Sequence, residues 1–336
     1  MEKTLDRFCN WLQVKTEAAL TRRKAVRTAK KNKKRTFVGE ILDWLDAIVF
    51  AVVVVLLVNQ FLFQFFVVPS GSMEDTLLIK DRVVVSKFTY GTELFPYGPK
   101  IRDARTPDRD DIITFYNPQF KAENPFFAIF SKLLYMGTFS LVNIDVDEEG
   151  NPNESLLVKR AAGLAGDTVT FRNGNAYIRL AGTSEYVDEA SYRENNGYVT
   201  SPKRTLSSTV YNTYNAYGRL VGYQEAGMDP NNMPAHLVNL QKNIAGAGNF
   251  TDYYEFEKRV AEGQRLADPA NAEARSNWMR HTIGLYVPEG CVMPLGDNRD
   301  NSGDGRYFGP VSTDLVNGFV TGIFWPLNRV TGLLDK

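Results

Sequence analysis

The sequence predicts a mainly β domain that carries a smaller inserted second domain and is preceded by one N-terminal transmembrane helix. Three observations predict it. Residues Ala47 to Met73 carry no charge over 27 positions. Short β-branched or aromatic runs bounded by Gly, Pro, Asn or Asp recur after that stretch. A Tyr- and Asn-rich, less apolar segment interrupts them between residues 184 and 282. The expected organisation is a basic segment at 1–40, an anchor at 41–68, and a β domain built from 69–183 and 283–336. Within it, a membrane-contacting insert is expected at 118–150 and the inserted second domain at 184–282.

The anchor rests on length and polarity. Ala47 to Val58 is an unbroken apolar run, and up to Val68 only Asn59, Gln60 and Gln64 interrupt it. Helical residues rise about 1.5 Å each, so roughly 22 of them reach across a hydrocarbon core of about 30 Å. A buried core helix would show a polar face, and a cleaved leader would have a shorter apolar stretch. An uncleaved anchor fits better.

Charge sets its orientation. Residues 1 to 36 hold twelve Lys or Arg and three acids, a balance of +9; the whole chain is neutral, so the remainder carries −9. Lys and Arg collect on cytoplasmic flanks, which places the N-terminus in the cytoplasm and everything after Ser72 on the exported side. Against a membrane helix, such a run meets anionic lipid rather than nucleic acid. Cys9 and Cys291 then lie on opposite sides and cannot pair.

The exported part begins with strands at Arg82 to Lys87, Asp111 to Tyr116, Leu156 to Lys159 and Asp167 to Phe171, and ends with one at Phe319 to Phe324. Pro125 to Asn143, rich in Phe, Leu and Ile, does not match the anchor as a second span, since it carries Lys132 at its middle and Gly137 soon after. An interfacial segment whose lysine reaches water is expected, with packing on the domain's own core as the competing reading. The inserted domain carries a helix around Tyr253 to Ala267.

His236 and His281 are the only histidines, and neither lies in a Gly-rich or acidic cluster. No metal-ligand spacing joins them to the cysteines. The alternative base is Lys159, preceded by Leu156-Leu157-Val158. A free lysine, with a pKa near 10.4, is protonated at neutral pH, but burial disfavours the charged form. A candidate nucleophile, Ser72, stands four residues beyond Val68. That position suits a substrate itself held in the membrane.

Four segments follow the anchor in order: Ser70-Gly71-Ser72-Met73; Asp81 to Lys87 with Tyr90-Gly91; Lys159 to Asp167; and Gly296 to Gly309. Together they resemble the bacterial type I signal peptidase (leader peptidase) family. The resemblance implies a signal-peptidase-like β domain and a Ser-Lys dyad serine endopeptidase without a cofactor or metal, in which Ser72 is the nucleophile and Lys159 the general base. The oxyanion would be held by the Ser72 backbone N–H and the Ser70 hydroxyl. Ser302 would orient the lysine, and Arg160 with Asp297 and Asp304 with Arg306 would form structural pairs. Shallow pockets would involve Phe66, Val68, Pro69, Leu77, Val84 and Val158, with substrate added as a strand.

The implied partners are exported preproteins, cut after small residues at −1 and −3 (Ala-x-Ala), and membrane lipid, with no nucleic acid. The implied place is a bacterial inner membrane, crossed once. Asp300, Ser302, Asp304 and Gly305 also mimic the opening of a calcium loop, but Val311 stands where such a loop needs a bidentate Glu. The chain has Arg109-Asp110-Asp111 where the family commonly has Arg-Gly-Asp, so a different turn is expected there. A non-catalytic membrane-anchored scaffold with this fold is the alternative function. A Ser-Lys self-cleaving regulator is a further one, for which the leader is too short to supply a partner-binding domain.

Overall fold

The computed structural model describes residues 21–22, 37–94, 98–100, 105–120, 125–138, 141–146, 150, 153, 155–198, 202–237 and 252–333. Almost all of the basic leader, with Cys9, lies outside the described residues. The chain divides into two compact units, Met1–Val54 and Val55–Lys336.

Helix α1 (Phe37–Phe61) contains a stretch, Glu40–Phe61, long and apolar enough to cross a membrane. Ile48, Val49, Phe50 and Leu57 on it are exposed. The anchor predicted to residue 68 therefore ends at Phe61, and its last part is strand β1 (Phe63–Val67). The cause is polar. Asn59 and Gln60 are buried, Asn59 donating to the Val55 carbonyl at 3.0 Å and Gln60 to the Glu93 carbonyl at 2.9 Å. The Phe- and Val-rich run after Leu62 then suits a pleated, half-buried surface.

Next come β2 (Arg82–Ser86), β3 (Ile112–Tyr116), α2 (Pro125–Gly137) and β4 (Leu156–Gly163). After these come β5 (Thr168–Arg172), β6 (Asn175–Arg179) and β7 (Tyr186–Asp188). Then come, among the described residues, helices α3 (Glu189–Asn195), α4 (Ser208–Glu225), α5 (Tyr253–Ala267) and α6 (Ala272–Ile283). The chain closes with β8 (Leu285–Tyr286), β9 (Cys291–Leu295), α7 (Gly305–Phe308), β10 (Val311–Ser312), β11 (Val316–Trp325) and β12 (Thr331–Gly332).

The larger sheet is antiparallel in the order β1-β2-β11-β3-β4-β9-β10, with β12 on β11; the smaller one runs β7-β6-β5-β8. Alternation explains the larger core. In β2, Val83 and Val85 are fully buried and Val84 between them is not. They pack with Val68, Met73, Leu77, Ile112, Val320 and Ile323, and Phe66 and Val158 close over that cluster. Phe66 lies on β1 and Val158 on β4, four strands along the sheet, so the sheet curls the two together.

The inserted domain predicted at 184–282 begins earlier and is not separate. β5 and β6 already belong to the smaller sheet, and Val169, Phe171 and Ile178 share one apolar cluster with Met293 and Leu295 of β9. Residues 55–336 accordingly form a single unit. Within the helical part, α4 and α5 approach closely: a Cβ on Gly222 would stand 2.2 Å from the Val260 carbonyl oxygen. Each burial of a Leu- or Phe-sized side chain in these clusters contributes about 1.5–3 kcal/mol.

Candidate active site

Ser72 sits in a buried 3-10 turn, Gly71–Met73, reached from β1 through Val68-Pro69-Ser70. Proline at 69 has no N–H to give to a ladder, so strand pairing stops before the serine. Lys159 lies on β4 opposite Ile113 of β3. Its Nζ is 2.8 Å from Ser72 Oγ and donates to the Val158 carbonyl at 3.0 Å. Ser72 is 8% exposed and Lys159 3%. A hydroxyl and an amine in contact, both withdrawn from water, can pass a proton directly.

One carboxylate fixes that contact. Arg160, next to Lys159, grips Asp297 with both arms, Nε at 2.8 Å and Nη2 at 2.6 Å. Thr76, four residues beyond Ser72, donates its hydroxyl to Asp297 at 2.5 Å. Burial alone would raise the Asp297 carboxyl, but the Arg160 guanidinium outweighs it and holds it below the usual carboxylate range. Asn298 completes the grip, its N–H donating to the Ser72 carbonyl at 3.0 Å and its amide to the Gly71 carbonyl at 3.1 Å. The expected Arg160–Asp297 pair is therefore present, between the Ser72 turn and strand β4.

The Asp304–Arg306 pair is also present, with Arg306 Nε 2.9 Å from the carboxylate. Asp304 accepts the Gly296 N–H at 2.9 Å as well, which closes the loop on itself. Here too burial pushes the carboxyl up and Arg306 more than reverses it. Gly296 is a point of forced approach, since a Cβ there would lie 2.1 Å from Ser302 Oγ and 2.7 Å from the Ser72 carbonyl oxygen.

Ser302 corrects the sequence reading. It is buried, but among the described residues its hydroxyl has no hydrogen-bond partner, Lys159 included. The side chain is wedged against Gly296, where packing rather than a bond to the amine places it. The Ser70 hydroxyl, half-buried, does not cap the 3-10 turn.

A cavity of about 380 Å³ opens beside the turn. Four of the predicted pocket residues, Phe66, Val68, Pro69 and Val158, line it. Leu77 and Val84 do not. Leu77 is fully buried beneath the turn, and Val84 faces away from Val83 and Val85. The far wall is α2, through Ala128, Lys132 and Tyr135. Lys132, expected to reach water, points inward and is buried, while Phe126 and Phe130 take the exposed side.

Other participants were not evident in the sequence. Asp110 adopts φ 75°, the left-handed region that favours glycine, so the turn keeps a glycine-like backbone despite the substitution. Its side chain takes Arg160 at 3.0 Å and Arg193 at 2.6 Å. Glu189 of α3 holds Arg299, in the Gly296 to Gly309 segment, at 2.8 Å. The unexpected Asp in the Arg-x-Asp turn was the one signal available; Glu189 and Arg193 gave none. Neither histidine bonds to Ser72. His236 is exposed, and the His281 ring contacts the Asn277 carbonyl at 2.9 Å. The acids of the calcium-like stretch have other partners, Asp300 accepting from the Thr205 and Leu206 N–H groups and the Tyr211 hydroxyl.

Residues 41–325 match the family model described as signal peptidase, peptidase S26. Signal peptidase I of Haemophilus influenzae is 26% identical over 292 residues, covering 87% of this chain and 72% of that protein. Signal peptidase I of Buchnera aphidicola subsp. Schizaphis graminum is 24% identical over 279 residues, covering 82% and 72%. A solved structure of a signal peptidase I from Enterococcus faecalis V583 aligns at 20% identity over 65% of this chain and 98% of its own, with a TM-score of 0.24. Because the family model spans most of the sequence, from within α1 to the end of β11, the chain belongs to the signal peptidase family, peptidase S26.

Proposed function

We propose that Ser72 is the nucleophile and Lys159 the general base with which this membrane-anchored serine peptidase removes signal peptides from exported preproteins. The observation that carries the reading is the 2.8 Å contact between two buried groups on segments locked together through Asp297.

Neutral Lys159 takes the Ser72 proton as Oγ attacks the carbonyl of the −1 residue. The oxyanion that forms is met by the Ser72 N–H and, after rotation, by the Ser70 hydroxyl. Collapse expels the amine of the mature protein, which receives the proton from Lys159, and leaves the signal peptide esterified to Oγ. Water, deprotonated by Lys159, then hydrolyses the ester. Substrate lies along the open edge of β1, where main-chain pairing supplies affinity and alternate side chains enter the cavity walled by Phe66, Val68 and Val158. Shallow apolar walls of this kind favour small residues at −1 and −3. In the accompanying topology the N-terminus is cytoplasmic and β1 onward is exported, as the +9 leader supports.

The test is cleavage of an Ala-x-Ala preprotein in detergent, with the cut mapped by mass. Ser72→Ala and Lys159→Met should each lose at least about 10⁴-fold in turnover. Lys159→Arg should fail too, because a guanidinium does not serve as a neutral base. His236→Ala and His281→Ala should stay active. Substantial turnover by folded Lys159→Met would remove the dyad.

A further inference from the structure

Lys132 has no task in the mechanism above, yet it is 8% exposed and lines the cavity beside the nucleophile turn. Its ammonium stands 5.2 Å from the centre of the Phe66 ring and 5.9 Å from that of Tyr116. Among the described residues, no hydrogen bond or ion pair reaches it. The side chain is largely buried and its amine faces the cavity with no acceptor among the described residues, so an acceptor that enters the cavity would meet it away from bulk water.

The surroundings say which acceptor. Two lysines, Lys132 and the exposed Lys80, face the cavity against a single acid, Asp145, whose carboxylate already accepts from Asn153 at 2.7 Å. Burial, with Lys87 nearby, brings the Lys132 pKa down to about 7, against the opposing pull of Glu93 and Asp145. An arriving carboxylate would restore full charge to the amine, which a neutral side chain would not do. One turn along α2, the Tyr135 hydroxyl accepts the Val67 N–H at 3.3 Å. Val68 donates to Asp81 on the β2 side, so by strand alternation Val67 points to the open edge. Tyr135 thus occupies a donor that a strand-adding peptide would use.

We propose that Lys132 is a specificity-determining residue: its ammonium binds the carboxylate of an Asp or Glu that the signal peptide carries just upstream of the −3 position, while Tyr135 yields Val67 to the incoming strand. This rests on the reading of β1's edge as the substrate groove. Phe66 and Ala128 supply the apolar walls for the methylenes of such a side chain.

The experiment uses the full chain in detergent and peptides that share one Ala-x-Ala cut but carry Glu, Gln or Leu at each of the three positions upstream of −3. Glu at one of these positions should raise kcat/KM over Gln by about tenfold, through KM rather than kcat. Lys132→Met should bring that Glu-to-Gln ratio to about one, and Lys132→Arg should keep a preference for Glu. If Lys132→Met does not fold, the parent's peptide series and Lys132→Arg still decide. A parent that cleaves all three peptides alike overturns the proposal, as does a ratio that survives in folded Lys132→Met. Vesicles of phosphatidylglycerol that erase the ratio, where phosphatidylcholine vesicles do not, would assign the ammonium to a headgroup phosphate and also overturn it. Failure of the underlying reading looks different: the parent cleaves no peptide, or Ser72→Ala still cleaves.

Discussion

The helix-rich segment that follows β7 meets the rest of the domain through paired charges, whereas α2 faces the cavity with a lysine that has no ion-pair partner among the described residues. Glu189 with Arg299 and Arg193 with Asp110 are almost wholly buried. Asp252 lies 3.5 Å from Arg306, and the Lys203 N–H donates to the Asp297 carbonyl at 2.7 Å. α2 instead offers Lys132 to the cavity and Phe126 and Phe130 to the outside. Buried pairs add little net stability once desolvation is counted, but they penalise any other arrangement of the same chain. The first segment therefore holds a geometry, and the second leaves room for a ligand.

The largest effect expected from breaking this contrast is at Arg299. Arg299→Leu strands the Glu189 carboxylate in the interior, which should cost about 3–5 kcal/mol and most of the turnover. Adding Glu189→Leu should recover part of the stability. Urea midpoints for the single and double variants check this; a single variant as stable as the parent would show that the pair holds nothing.

Acid should loosen the paired side next. Asp297, Asp300 and Asp304 are all held below the usual carboxylate value, burial being outweighed by Arg160 for Asp297, by backbone N–H groups and Arg204 for Asp300, and by Arg306 for Asp304. A depressed folded pKa gives stability that is present above the unfolded value, 3.8, and lost as pH falls through the folded one. Asp110 runs the other way, since burial wins there and raises it. Each depressed carboxylate should contribute to an acid limb in a pH series of melting points. Asp297→Asn should flatten that limb, and an unchanged limb would contradict it.

The smallest effect on stability belongs to α2. Phe126→Ser with Phe130→Ser should change the urea midpoint by less than about 0.5 kcal/mol, because both rings are exposed. It should nevertheless weaken adsorption to lipid vesicles if this face lies on the outer leaflet. Cysteines at positions 117 and 151 should both react with an impermeant reagent from the exported side. Reaction at 151 only from the cytoplasm would put Lys159 across the bilayer from Ser72 and end the dyad.

Local signals were the legible ones. The helix read at Tyr253 to Ala267 is α5 residue for residue, and the strands at Arg82 and Asp111 shift by one residue at most, because periodicity and boundary residues act within a few positions. The end of α1 was not legible: Phe61 and Phe63 are equally apolar, and only the buried amides of Asn59 and Gln60 mark the change from helix to strand. Ser72 and Lys159 were readable as residue types in order. The inward turn of Lys132 and the isolated Ser302 hydroxyl depend on tertiary packing, which no window of sequence contains.

The junction between α1 and β1 also acts as a ruler. Gln60 is tied to Glu93, and the Leu62 carbonyl accepts the Lys87 N–H at 2.9 Å, so the last turn of the helix is bonded into the sheet rather than joined to it by a slack linker. Five strand residues at about 3.3 Å each then set most of the span from Phe61 to the serine turn. In the proposed topology, Ser72 stands at a set distance from the last turn of α1. A preprotein would be selected by how far its cleavage site stands from its own apolar segment as well as by the side chains around the cut, and lengthening that spacer would move a perfect Ala-x-Ala out of reach.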